Sequence, residues 1–318
     1  MWPFKKSGEP APDTPEFVTH LGDPEAERLE EALIKRDWAT SREILTGAAP
    51  EERSYYLIVA AGTRGVEEWI DGPVRDEPDS ALPLLIRGAR MVSWAWEARG
   101  SGTSDTVSED DWKVWFNRLR RAEDCLDEVV EREPGSAEAW RYLITLGRAR
   151  QLSQEELHRR FAGLIEADPH HYYGHWQMQE GLMRKWGGSD EAMFDFARSR
   201  AAASPATHIP VLVPMAHLEL CRGRSSAELQ EHLRQDEVVD DIWEASQLSV
   251  FHDDYQETLL TPIAWNHFAY ALALGGQDEA AASLFDVIED EWITRSPWNS
   301  MSNFLKIRDF VRAEQAGA

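Results

Sequence analysis

Three prolines, Pro134, Pro169 and Pro205, stand 35 and 36 residues apart, and each closes one stretch of helical apolar spacing before the next begins. Proline cannot continue a helix, because it lacks the amide hydrogen and its ring collides with the preceding turn. A break recurring at that interval leaves room for two ordinary helices and the turn between them. The inner turns keep the same phase, since Ser153, Gly188 and Gly223 each follow the last by 35 residues. Helix pairs of this length bury their apolar faces only by stacking on neighbours. The spacing predicts an all-α fold, an antiparallel helix-pair solenoid of roughly fourteen helices.

The segments carry their own start and stop signals. From 109 to 132, Trp112, Trp115, Phe116, Leu119, Ala122, Leu126, Val129 and Val130 recur every three or four residues, which is one apolar stripe on one helix. Ser108 is placed to cap it, with acidic residues on the first turn where the helix dipole favours them. Ser/Thr-x-x-Glu capping boxes mark further starts at Thr40 with Glu43, Ser153 with Glu156, and Ser225 with Glu228. Earlier in the chain, 24–47 and 51–71 read as short helix pairs, the first broken near Asp37. A helix over 80–98 is followed by a polar loop from Arg99 to Val107, and a terminal helix runs from about Ser296 to Ala313. Residues 1–20, with Pro10, Pro12 and Pro15, read as a flexible lead-in, and 21–318 as a single continuous helical array.

The C-terminal unit places Trp265, Phe268 and Ala269 before Gly275-Gly276, then Ala280, Leu284 and Phe285. This arrangement resembles the tetratricopeptide-type repeat family, in which each unit is a helix A, a short turn and a helix B. In the central units Gly147 stands where that pattern has an aromatic residue. The run Lys185-Trp186-Gly187-Gly188-Ser189 also resembles an uncharacterised bacterial family of tetratricopeptide-like proteins with a Lys-Trp-Gly-Gly-Ser signature. The resemblance implies a fold and no particular activity.

Charge narrows the partners. With 33 Lys and Arg against 57 Asp and Glu the net charge is −24, which disfavours a nucleic-acid backbone as partner. A nucleic-acid-responsive regulator is disfavoured on the same ground. No apolar run has the length of a membrane span, and no signal-peptide pattern follows Lys5-Lys6. Cys125 and Cys221 suit buried free thiols in a reducing compartment, so cytoplasm is the expected location. From 225 to 257 the chain is strongly acidic, with Arg234 its one basic residue other than histidine; this reads as a solvated helix face or a surface for a basic partner.

Catalytic motifs are sparse. His171 and His175, four apart, would share one helical face as zinc-binding pairs do, but no Glu follows the first as the metalloprotease pattern requires. Gly187-Gly188-Ser189 would cradle a phosphate only against the repulsion of Asp190 and Glu191, so it reads as a helix-capping turn. No cofactor motif is present. The expected function is therefore a non-enzymatic interaction scaffold for a protein or peptide segment. A metal-dependent hydrolase using the His171/His175 region is the alternative.

Repeat register then nominates a binding strip. If Trp140 marks the fourth position of a helix A, Arg141 and Arg148 fall on the face such arrays turn towards their groove. Setting Trp176 equivalent adds Gln177 and Arg184. Trp176 is counted with the strip as an aromatic anchor. Arginine forks suit carboxylates, so an acidic or C-terminal segment is the expected ligand. The competing expectation is that these arginines pair with glutamates of adjacent helices.

Overall fold

Every regular element in the computed structural model, which describes residues 15–100 and 108–317, is helical, and no strand occurs among those residues. The expected lead-in lies outside the described residues up to position 14, and the expected polar loop does so over 101–107. The described residues pack as two compact units, one within 24–189 and a second that joins 190–317 to 15–23.

The first unit holds α1 Pro24–Ile34, α2 Trp38–Gly47, α3 Pro50–Gly62, α4 Asp71–Asp76, α5 Leu82–Arg99, α6 Glu109–Arg132, α7 Ala137–Ala149, α8 Gln154–Ala167 and α9 Tyr172–Gly181. Sequence neighbours pack together, α5 on α6 and α7 on both α8 and α9. On α6, Trp115, Leu119, Ala122, Leu126 and Val129 are buried, while Phe116, counted in the stripe, is 50% exposed. Ser108 caps this helix by accepting the Asp111 amide at 3.1 Å. The start of α2 differs from expectation. Arg36 takes a left-handed φ of +61°, and Asp37 becomes the cap by accepting the Thr40 amide at 3.1 Å. Gly147, where the repeat pattern has an aromatic, leaves room for α8: a Cβ there would lie 2.7 Å from Leu157 Cδ2.

The second unit holds α10 Asp190–Ala203, α11 Leu212–Leu220, α12 Ser226–Leu233, α13 Asp236–Gln247, α14 Thr261–Leu274, α15 Asp278–Ile288, α16 Arg295–Trp298 and α17 Met301–Gly317. Ser225 and Glu228 form the expected reciprocal capping box on α12. The expected terminal helix from Ser296 is instead divided into α16 and α17, with Asn299 at φ +63° between them. Asn266 explains the division. Its amide nitrogen donates to the carbonyls of Pro262 and Trp292 at 2.7 and 2.8 Å, and its oxygen accepts Trp298 Nε1–H at 2.6 Å. Trp298 is fully buried against Tyr270, Phe285 and Phe304. Burying that indole outweighs one unbroken helix.

Three of the left-handed residues stand at a fixed interval in the middle of the chain. Gln151, Gly187 and Gly223 have φ of +55°, +86° and +83°, are 36 residues apart, and each precedes the first residue of α8, α10 or α12 by three. The similar sequence at Gly275-Gly276 uses its second glycine instead, at φ +78°. Gly187→Val should cost about 1–2 kcal/mol through left-handed strain. Gly188→Val should cost more, because its Cβ would lie 1.8 Å from the Leu182 carbonyl oxygen and backbone must move. Chemical denaturation of the two variants checks that order.

Burial pulls the imidazole of His267 down to about 4 from an ordinary 6.5. Its Nδ1–H donates to the Ile263 carbonyl at 2.8 Å, and Ser296 Oγ lies 3.3 Å from Nε2. Between pH 6.5 and about 4 the unfolded chain takes up this proton and the folded chain does not, so stability falls on acidification through that window. The loss from this residue is about 3 kcal/mol. In His267→Gln, stability measured by denaturation against pH should lose that part of its slope. An unchanged slope would be inconsistent with a neutral buried imidazole.

Candidate functional site

On α7, Arg141, Thr145 and Arg148 follow at i, i+4 and i+7 and so lie along one face. The adjoining α9 supplies Gln177, whose side-chain oxygen accepts Thr145 Oγ1–H and Arg148 Nη2–H, each at 3.0 Å. Glu180, one turn on, pairs with Arg148 Nη1. The structure thus gathers Arg141, Arg148 and Gln177 between α7 and α9. It buries them, with exposures of 7, 8 and 8%. Nearly all of α7 is enclosed by its neighbours, so its arginines lie among helices. Arg184 is exposed, in the 3₁₀ turn Arg184–Trp186 that follows α9, and Trp176 is half-buried beside Tyr173.

The N-terminal end of this face is an ionic cluster. His171 caps α9, its Nδ1 accepting the Gly174 amide at 3.0 Å. An Nδ1 that accepts leaves the proton on Nε2, which donates to Glu138 Oε1 at 2.6 Å, with Ser54 Oγ 3.3 Å away. Burial raises the Glu138 carboxyl, but His171 and Arg141 outweigh it and hold the group below the usual carboxylate range. Arg141 is pulled down by burial and pushed up by Tyr142 and Glu138, with a net rise that keeps it charged. Its guanidinium lies 4.1 Å from the Tyr142 ring centre and 5.5 Å from that of Tyr173. Glu138 Oε2 is 3.9 Å from Arg141 Nη1, an ion pair without a hydrogen bond.

His175 is fully buried, with Nδ1 on the His171 carbonyl at 3.0 Å and its ring edge-on to Phe161. Among the described residues no group of three or more His, Cys, Asp or Glu side chains is arranged to hold a metal ion.

At the C-terminal end the face meets tryptophans. Arg148 lies 5.9 Å from the Trp96 ring and 5.3 Å from Trp186, and Trp96 stands edge-to-face with both Trp115 and Trp186. Burial lowers the Arg148 guanidinium to about 10, so it stays charged near neutral pH. Along the whole face, donors outnumber their partners. Arg141 Nε and Nη1, Arg148 Nε, and the indole nitrogens of Trp115 and Trp186 are buried without a hydrogen-bond partner among the described residues. Glu138 Oε2 is the acceptor left in the same condition on α7.

The sequence reading missed Glu138, Thr145 and Glu180, although Glu138, Arg141, Thr145 and Arg148 share one helical face. Trp96, Trp115 and Trp186 come from three distant stretches and carry no joint signal in sequence. No protein-family model matches the chain, and no curated protein matches it significantly.

Removing Glu138 leaves a buried guanidinium and an imidazole N–H without their carboxylate. Glu138→Ala should therefore cost about 3 kcal/mol or more, and Glu138→Gln distinctly less, since the amide oxygen still accepts from His171. Urea denaturation of both variants tests this; equal losses would mean that the lost charge carries the whole effect and the hydrogen bond to His171 contributes nothing.

Proposed function

We propose that the chain is a non-enzymatic interaction protein of tetratricopeptide-like construction, acting as a scaffold or adaptor, and that it holds an acidic or C-terminal protein segment along the α7–α9 face. Arg141, Arg148, Gln177 and Arg184 are the polar contacts in this reading and Trp176 the aromatic one. The observation that carries it is the row of buried donors without acceptors on that face. A ligand carboxylate brings acceptors and no donors, which is the chemistry such a row lacks. The three left-handed residues at 151, 187 and 223, each three positions before a helix, support the repeat construction in the middle of the chain. Entry of a ligand requires α9 and its following turn to yield, because the two inner arginines are enclosed.

The hydrolase alternative draws less support, because His171 uses both ring nitrogens within the protein. No helix among the described residues is long and apolar enough to cross a membrane. Cytoplasm is the compartment we assign, on the two buried free thiols.

The test is binding of a labelled acidic pentapeptide with a free C-terminal carboxylate, followed by fluorescence anisotropy. Arg148→Lys and Arg184→Ala should each weaken binding by about tenfold, the first because a lysine loses the fork and the second by removing an exposed charge. The triple Arg141, Arg148 and Arg184 to alanine variant should lose binding, or retain a remnant of it with a much weaker salt dependence. A lowered melting temperature with peptide binding unchanged would assign these arginines to internal pairing and remove the proposed site.

A further inference from the structure

A second surface, in the Asp190–Ala318 unit, has the opposite chemistry. The C-terminal half of α13 and the first turn of α15 border an open groove of about 650 Å³, lined among others by Trp243, Gln247, Phe251, Asp278, Glu279 and Ser283. Trp243 is 42% exposed, although its class of side chain gains most from burial, and its ring lies 6.0 Å from that of Phe251. Among the described residues no Lys or Arg lines the groove. The helix α13 carries five acidic residues and no basic one, and α15 carries three and none. Asp278 Oδ1 is buried and has no hydrogen-bond partner among the described residues. An aromatic floor, carboxylates at the rim and an acceptor without a donor all ask for one kind of group, a flat cation rich in N–H.

We propose that this groove binds an arginine side chain presented by a basic peptide segment. The guanidinium stacks on the Trp243 indole and directs its N–H groups to Asp278 and Glu279, while Gln247 and Ser283 meet the flanking peptide backbone. Arginine suits this better than lysine. Its planar fork pairs with carboxylates two bonds at a time, and it is more weakly hydrated, so it stacks on an indole at less cost. The groove exceeds the volume of one side chain, which leaves space for the residues on either side. This occupant differs in charge from the acidic segment assigned to the α7–α9 face, so either assignment can fail alone.

The probe is a fluorescein-labelled peptide, Ser-Gly-Arg-Gly-Arg-Gly-Ser, titrated with the full chain at about 0.15 M salt, where exposed long-range attraction is largely screened. A matched peptide with citrulline for arginine keeps the shape and removes the charge. The arginine peptide should bind, with Trp243→Ala and Asp278→Asn each weakening it by about tenfold and the citrulline peptide binding at least that much more weakly. A charge control, Glu109→Gln with Asp110→Asn on the exposed start of α6, should change affinity by less than about twofold. Melting temperatures accompany each variant, and Trp243→Ala, at a part-exposed position, keeps the test valid should Asp278→Asn disturb the start of α15. Absence of binding, equal binding of the citrulline peptide, or an equal loss in the charge control would overturn the proposal, the last by showing attraction to net charge alone.

Discussion

A guanidinium taken out of water must find carboxylates or carbonyls, and the packing of the Pro24–Ser189 unit is organised around that requirement. Arg90 is fully buried and joins Glu67 at 2.6 Å, Glu97 at 2.7 Å and the Ala61 carbonyl at 3.0 Å, so α5 is tied to the end of α3 and the turn beyond it. Arg160 on α8 reaches Glu123 of α6 at 2.6 Å and the Leu143 carbonyl of α7 at 2.5 Å. Arg148 ties α7 to Glu180 of α9. Buried pairs of this kind add little net stability over apolar residues of equal size, yet losing one partner costs about 3–5 kcal/mol. Their physical effect is on register: sliding one helix by a turn would strand a charge.

The Asp190–Ala318 unit meets the same need for buried polar contacts with mostly neutral groups. Asn266 joins α14 to the segment before α17 through carbonyls and an indole N–H, with no charge to desolvate. An ionic chain runs from the exposed Arg198 inward through Asp241 to the buried His217 and on to His232. Arg198 donates twice to Asp241, and His217 bridges Asp241 and His232 at 2.9 and 3.0 Å. Burial raises the Asp241 carboxyl, but His217 and Arg198 outweigh it, leaving an ionised acceptor. His217 Nδ1 and His232 Nε2 share a single proton between them, so one of the two facing nitrogens accepts; burial holds the His232 imidazole below its ordinary value.

Much of the fold was legible because its signals are local. The α6 stripe, the Ser108 and Ser225 caps and the turn at Gly187 each depend on residues within one or two helical turns. What escaped is backbone geometry without a propensity signal, or contact between distant residues. The Asp37 cap displaced the box read at Thr40 because Arg36 adopts left-handed geometry that no propensity favours. The division of the last helix at Asn299 follows from Asn266, more than thirty residues earlier. Helical register correctly placed Arg141, Arg148 and Gln177 on a shared face, yet register alone does not say whether a face is open. Here the tryptophans from α5, α6 and the turn after α9 close over it.

The left-handed residues at 151, 187 and 223 carry a consequence for how such a chain tolerates change in length. Within a helix, one inserted residue rotates everything after it by about 100° and turns the apolar stripe away from its neighbour. A left-handed residue ends that rotation, because the following helix takes its phase from the turn and not from the helix before. Each turn therefore resets the count, so that an insertion or deletion spoils the helix that contains it and leaves the phase of the next intact. Gene lineages of a chain built this way can drift in length between punctuation marks while keeping the packing downstream in frame.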